Sequence, residues 1–356
     1  MTVESGGSSQ VDRAFGAQSR LQLLDEYFSA NTDVTASNAW HHIYRLLLWT
    51  DRTTGLAHCY ESDKAQPGRK WYERSLAFHD WLASSFGLAP HDVAGHVDWL
   101  FRRGTERLAT IAAGREKVRL ARAAEQRAPF ADRGFPEPGE DPVLELLIRD
   151  TLSAWLKEPP AEVMRQLTDR IRTHFGHENK RKNLVGEGFE DVLAALIRRA
   201  TPPGALAVTA RPVLHEIEGF RPPPGKEKPR RVDLAIVSAG HRRALVSAKW
   251  SIRADREEQF GVDFDTYARL EDAGRDFDFV LVTNEFDAAR LTAACDRRTT
   301  NAALFTAVVH VNPLGPMAAY GKELRRSAAR LAELVESGRL MSLENWLSSL
   351  SQWAPN

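Results

Sequence analysis

Between Leu206 and Val311 the chain carries a run of short apolar segments, "LAVTARPVLHEI", "RVDLAIVS", "RALVSAKW", "DFVLVTN" and "ALFTAVVHV". They are rich in β-branched residues and bounded by Gly, Pro, Asp and Asn, so each reads as a strand. A helix of roughly Asn179–Ala200 precedes the first, and helical spacing returns at about 255–272 and about 286–295. The order α-β-β-β-α-β-α-β predicts an α/β fold, a mixed sheet with helices on its faces. A short turn around Gly240 makes the second and third strands an antiparallel hairpin. Beyond the last strand, "GKELRRSAARLAELVESG" and "LENWLSSLSQW" are helical again and are expected to pack back on the sheet or on a second subunit.

The first half reads differently. From about residue 12 to 175, "RLQLLDEYF", "AWHHIYRLLLW", "RSLAFHDWLASSF", "VAGHVDWLFRR" and "PVLELLIRDTLSAWL" repeat apolar residues at helical spacing. A polar loop from Thr53 to Arg69 and a Pro/Gly stretch from Phe130 to Pro142 interrupt them. The predicted organisation is a Gly/Ser tail over 1–10, expected to be disordered, an all-α domain over 11–175, and a sheet domain over 176–356 with C-terminal helices. A chain of 356 residues fits two domains, at about one per 150 residues.

Charge and cysteine content narrow the function classes. The 48 basic and 48 acidic side chains cancel, so any polyanion must be held by a local site rather than by overall basicity. Cys59 and Cys295 lie far apart with no C-x-x-C partner, which excludes a disulfide framework and fits a reducing compartment. A zinc site from His58, Cys59 and His79 fails on spacing and ligand number. No G-x-S-x-G or Cys/His hydrolase signature is present. "MTVESGGSSQ" lacks an apolar leader core and no apolar run reaches membrane length, so a cytoplasmic chain without a membrane partner is expected.

Chemistry first gathers on the hairpin. Asp233 and Lys249 project from neighbouring strands, where a carboxylate and an ammonium can converge. Magnesium prefers hard carboxylate and phosphate oxygens, and a nearby lysine can orient a water and neutralise charge on phosphate. Further acids available to such a site are Glu187 and Glu190, on one face of the preceding helix, and Glu258 and Asp263 on the following one. Each has an ordinary structural reading as well: strand aspartates mark edges and turns, strand-end lysines reach to water, and helix acids are solvated. Their coincidence on one frame favours a site.

Immediately downstream, Arg253, Asp255 and Arg256 fall within one helical turn. Arginine pairs bidentately with guanine O6 and N7 and aspartate accepts from cytosine N4, so the trio suits two successive G·C pairs in a major groove. A helix start inserted in the groove is a common reading geometry, and a two-fold dimer would duplicate the half-site into CCGG or GGCC. The competing reading is a salt-bridged helix start, "RADREE", in which the acids balance the arginines.

The strand Asp, the strand-terminal Lys and the αβββαβ order resemble the PD-(D/E)XK nuclease superfamily. More specifically, Ser247-Ala248-Lys249, Arg253-Ala254-Asp255-Arg256 and Asp263 resemble the S/T-x-K, R-x-D/E-R and following acid of its CCGG-recognising restriction endonucleases, and "FVLVTNEFDAARL" adds to the likeness. The resemblance spans roughly residues 180–310. It implies that Asp233 is a metal ligand, Lys249 the catalytic lysine, and Asp263 the acid displaced from the D/E-x-K position where Ser247 stands. Glu190, with Glu187 as the alternative, is implied as the acid that shares a second metal or the water. Arg253 and Arg256 would read guanines and Asp255 cytosines. Val232 stands where the PD element has proline, and Asp263 is one methylene shorter than the expected glutamate, with Asp265 or Glu258 as substitutes.

The implied activity is Mg²⁺-dependent type II restriction cleavage of double-stranded DNA at a CCGG-centred palindrome, giving 5′-phosphate ends. A homodimer or higher homo-oligomer and a cognate DNA methyltransferase in the host come with it. The alternative is a DNA-sensing or defence-system subunit with a weakened or nonspecific nuclease centre. By elimination the helical half is a DNA-contact or assembly domain. Its loop "WTDRTTGLAHCYESDKAQPGRKWYERS" either touches phosphates and bases or is an ordered loop among the core aromatics Trp49, Trp71, Tyr72 and Trp81.

Overall fold

The computed structural model describes residues 15–60, 64–131, 133, 141–155, 160–253, 257–299, 302–321 and 326–353. The Gly/Ser tail expected over 1–10, and Asp255 and Arg256 of the reading trio, lie outside the described residues. Among the described residues no helix is long and apolar enough to cross a membrane.

Contacts divide the chain into two compact units. One holds the described residues up to Arg20 together with Arg102–Leu184; the other joins Leu21–Phe101 to Val185–Asn356. The boundary expected near 175 falls inside a single helix, and residues 21–101, expected with the helical half, group with the sheet. The helices in chain order are α1 (Ala17–Ala30), α2 (Ala39–Leu47), α3 (Lys70–Phe86), α4 (Val93–His96), α5 (Trp99–Arg127), α6 (Pro142–Leu152) and α7 (Ala161–Ala200). In the first unit, α6 starts where Asp141 accepts the Leu144 N–H at 3.1 Å and Pro142 occupies the first helical position, where its missing N–H costs nothing. Its Ile148 is buried whereas Val143, Leu146 and Leu147 are exposed.

The second unit is a mixed α/β structure around a six-stranded sheet. The strands are β1 (Leu206–Ala210), β2 (Leu234–Ser238), β3 (Arg243–Lys249), β4 (Asp278–Thr283), β5 (Ala307–His310) and β6 (Leu340–Ser342), in spatial order β1-β2-β3-β4-β5-β6. The β1–β2 and β2–β3 pairs are antiparallel and the remaining pairs parallel. The crossovers that allow parallel pairing are α8 (Glu257–Leu270) and α9 (Ala288–Asp296), close to their expected positions; α10 (Leu314–Tyr320), α11 (Arg326–Glu336) and α12 (Leu343–Ser351) complete the chain.

Two strand expectations change. "LAVTARPVLHEI" is a strand only to Ala210, because Arg211 turns into the left-handed region (φ 53) and Pro212 has no N–H to give; Leu214–Glu216 is a single 3-10 turn. Strand β6 was expected to be helix, since three residues are too few to show alternation.

The core forms on one face of the sheet from Ala235, Leu245, Phe279, Leu281 and Val308, covered by Phe260 and Tyr267 of α8, Leu291 of α9 and Leu331 and Leu334 of α11. The C-terminal helices pack on their own chain: α11 meets α9, α12 meets α2, and α10 meets α3. At the last contact Gly315 allows a close approach: a Cβ there would lie 3.3 Å from the Trp81 ring and 3.4 Å from Phe286, so these rings would have to give by a few tenths of an ångström. Thus α2 and α3 help to enclose the sheet unit, which their own periodicity does not reveal.

Candidate active site

The hairpin register places the first two groups. Leu234 pairs with Val246 and Ala235 with Leu245, so the next pair along is Asp233 with Ser247. Side chains alternate along a strand, so Asp233, Ser247 and Lys249 share the face of Ala235 and Leu245. Lys249 Nζ donates to Asp233 Oδ2 at 2.5 Å, the Ala248 N–H donates to the same oxygen at 2.9 Å, and Ser247 Oγ lies 3.4 Å away. Asp233 itself sits one residue before β2, so its carboxylate takes up the amide that a longer strand would have bonded. Asp233 and Lys249 are both half-buried, and among the described residues none donates to Asp233 Oδ1.

Glu190 comes from α7 and is held by a residue that sequence reasoning missed. Arg211 Nη1 donates to Glu190 Oε2 at 2.8 Å and its Nη2 to Asp191, which is 1 % exposed. The Arg211 main chain joins the same junction: its N–H donates to the Asp233 carbonyl at 2.9 Å and its carbonyl accepts from Arg231 Nη1 at 2.9 Å. One left-handed residue thereby ties the α7 acids to the Asp233 segment. Burial, reinforced by the negative charge of Asp233, pushes the Glu190 carboxyl up to about 7, against the hydrogen bond and charge of Arg211 and the charge of Lys249. Asp233, Lys249 and Glu190 are therefore near enough to feel one another.

The other expected acids take different places. Asp263 on α8 is raised by burial and by the charge of Asp233, an effect opposed by its hydrogen bond from Gln259, by Arg230 and by Lys249. That bond, Gln259 Nε2 to Asp263 Oδ1 at 2.7 Å, stays within α8. Glu187, Glu258 and Asp265 are exposed; the carbonyl of Glu187 accepts from Arg211 at 3.3 Å.

Beyond Lys249 the chain is pinned by buried polar groups of the "VTNEF" segment. The Asn284 N–H donates to the Trp250 carbonyl at 3.1 Å, and Asn284 Oδ1 accepts from Tyr44 at 2.9 Å. Glu285, 4 % exposed, accepts the N–H groups of Ile252 at 2.7 Å, Phe286 at 2.9 Å and Asp287 at 2.8 Å. Arg253, the next residue, is exposed.

The N-terminal aromatic loop reaches the same place. Asp51 builds its turn by accepting from the N–H of Thr53 at 2.9 Å and of Thr54 at 3.1 Å. Trp49 stacks on His58 at 4.1 Å and on Trp250 at 6.4 Å, and Trp250 meets Phe189 of α7 edge-on at 5.4 Å. Trp71 packs on buried Tyr60, and Trp81 on Trp40 and buried Phe78, the three tryptophans themselves being half-buried. His79 accepts the Ala57 N–H at 2.8 Å, and Cys59, its thiol pushed up to about 12 by burial, lies 3.2 Å from Ser75 Oγ.

Among the described residues no three or more His, Cys, Asp or Glu side chains stand together closely enough to hold a metal ion. Asp233 acts electrostatically on two other carboxyls, Glu190 and Asp263, all hard oxygen donors, and its charge helps to raise the pKa of both. Magnesium at phosphate-handling sites takes one or two carboxylates and completes its shell with substrate oxygens and water. The donor set fits that arrangement and not a three-carboxylate cage. No protein-family model matches the chain, and no curated protein matches it.

Proposed function

We propose that this protein is a type II restriction endonuclease on a PD-(D/E)XK core, a magnesium-dependent phosphodiesterase of the cytoplasm that hydrolyses both strands of double-stranded DNA at a CCGG-centred palindrome and leaves 5′-phosphate ends. The observation that carries the reading is the meeting of Asp233 and Lys249 at 2.5 Å, with Glu190 in electrostatic reach, at the strand end from which the chain runs on to Arg253.

Asp233 and Glu190 are the residues that would hold magnesium, which when bound supplies positive charge to the scissile phosphate and acidifies water. Lys249 orients the attacking water in line with the leaving oxygen and offsets charge growing on the phosphate. Asp263 contributes negative charge from α8. Arg253 and Arg256 pair with guanines and Asp255 with cytosine N4. The hold of Glu285 on Ile252 makes Lys249 and Arg253 parts of one fixed span, which links cutting to correct reading. A two-fold homodimer brings one site to each strand, and a host carrying the enzyme needs a methyltransferase to protect its own CCGG sites.

A second reading, a DNA-sensing defence subunit with a weakened centre, is favoured by one observation: Asp263 bonds to Gln259 rather than to the Asp233 cluster. Incubation of a plasmid bearing CCGG sites with the protein and Mg²⁺ separates the two. Discrete fragments with 5′-phosphate ends support the nuclease; binding without cleavage supports the sensor; a random smear removes the reading trio.

A further inference from the structure

One dense, unassigned run of positive charge is the segment "RPPPGKEKPRR", residues 221–231, which leads into Asp233. It carries Arg221, Lys226, Lys228, Arg230 and Arg231 against Glu227 alone, a local net charge of +4 (5 − 1) in a chain whose total is zero. All five cations are exposed. The single acid is already engaged, since Arg269 of α8 donates to Glu227 at 2.8 and 3.0 Å. Lys226, Lys228 and Arg230 make no side-chain hydrogen bond or ion pair with any described residue.

A run of exposed lysines is ordinarily just a solvated surface. This one is held in place at three points. At its start the Arg221 N–H donates to the Leu270 carbonyl at 2.9 Å, and its side chain donates to the Arg269 carbonyl at 3.1 Å. At its tip stands the Glu227–Arg269 pair, just past a turn that needs Gly225 at φ 64. At its end the Leu214 N–H donates to the Arg230 carbonyl at 2.8 Å and the Val232 N–H to the Pro212 carbonyl at 3.1 Å. Pro222, Pro223, Pro224 and Pro229 fix φ between these points. The cations are thus carried on a main chain whose ordering has already been met in folding, which lowers the cost of binding. Lys226, Lys228 and Arg230 follow one another at every second position after the Gly225 turn, a serial arrangement that suits a linear polyanion better than a small phosphate ligand. The arm ends two residues before Asp233, and the charge of Arg230 acts on Asp263.

We propose that residues 221–231 form a phosphate-tracking arm that receives the backbone of double-stranded DNA flanking the scissile group, through Lys226, Lys228 and Arg230. The inference rests on the nuclease reading of the neighbouring site and assigns the contact that a chain without net charge needs to hold DNA. Contacts of this kind set position and affinity and carry no sequence information.

The test compares wild type with the Lys226→Ala, Lys228→Ala, Arg230→Ala triple variant. Fluorescence anisotropy reads binding of a CCGG duplex and a scrambled duplex, without divalent metal, from roughly 50 to 200 mM KCl. Each lost phosphate contact removes about 0.9 from the slope of log K against log salt, so the slope of the variant becomes shallower by about 2 to 3. Binding weakens equally on both duplexes, the ratio between them is kept, and the melting midpoint does not move. A variant with the wild-type slope overturns the arm, and so does a loss confined to the CCGG duplex. A parallel Mg²⁺ cleavage assay keeps the two claims apart. Wild type that binds with the steep slope but never cuts removes the nuclease and leaves the arm; wild type that cuts beside a variant of unchanged slope does the reverse; and wild type that binds neither duplex removes both.

Discussion

Asp233 and Lys249 meet at 2.5 Å across the β2–β3 hairpin, and that contact exists only because the antiparallel register puts both on one face of the sheet. Lys249→Ala is expected to leave duplex binding intact while lowering the cleavage rate by about 100- to 10,000-fold, the range typical of a lost proton-transfer or water-orienting group. Gel shift and plasmid cleavage on the same preparation check this. Parallel loss of binding and cutting would make Lys249 a phosphate contact instead.

The proposed base-reading role of Arg253 and Asp255 predicts a different phenotype. Arg253→Ala and Asp255→Ala should each lose about 1 to 3 kcal/mol of discrimination at one base of the half-site while general DNA affinity changes little. Competition between a CCGG duplex and single-base variants measures it. If Asp255→Ala cuts the same sites as the parent with the same preference, the recognition assignment is wrong.

Glu190 gives a pH dependence of definite sign. Its carboxyl is raised to about 7 in the folded protein from an ordinary 4.5, so between those values the native state binds more protons than the unfolded chain. Stability in the absence of metal therefore falls as pH rises from about 4.5 to about 7, by on the order of 3 kcal/mol, and is flat for this group above that window. Asp263 and Glu285, also raised, act in the same direction. Urea unfolding of wild type and Glu190→Gln at pH 5 and pH 8 isolates the Glu190 part: the variant should lose that portion of the slope, and an unchanged slope would contradict the burial seen here.

Removing Arg211 should be costly for stability. Arg211→Ala takes the guanidinium from Asp191, whose carboxyl is only 1 % exposed, and breaking one side of a buried ion pair typically costs about 3 to 5 kcal/mol. Adding Asp191→Asn to the same chain should recover part of the loss, because the buried side chain then no longer calls for a cation. Denaturant titration of the single and double variants is the check.

Glu285→Ala should free the segment after β3. Three main-chain N–H groups lose their acceptor, at about 1 to 3 kcal/mol for each that stays buried and unmet. Amide hydrogen exchange at Ile252 should quicken more than at Leu245 in the sheet interior, and equal protection at Ile252 in both proteins would mean that Glu285 does not fasten this segment.

The sheet was legible because each of its first five strands is a short apolar run with its own flanking breakers, and the lengths between them allow only a hairpin or a helical crossover. Lys249 and Ser247 were legible for the same reason, as polar residues at the end of an apolar strand. Arg211, Asp191 and Glu285 were not. Their roles depend on partners 20 to 33 residues away, and nothing near them in sequence marks the connection. Glu285 lay within a string singled out only for its likeness to other proteins. The inclusion of α2 and α3 in the sheet unit was hidden too, since an amphipathic helix announces that it buries a face but not which surface covers it.

Position 211 admits no compromise residue. A left-handed backbone disfavours every L side chain by roughly 1 to 2 kcal/mol, so glycine would relax it, yet glycine abandons two carboxylates at once. Lysine, a point charge without a fork, can satisfy one acid well but not both. A saturation library at this codon should therefore return a single occupied well with steep walls.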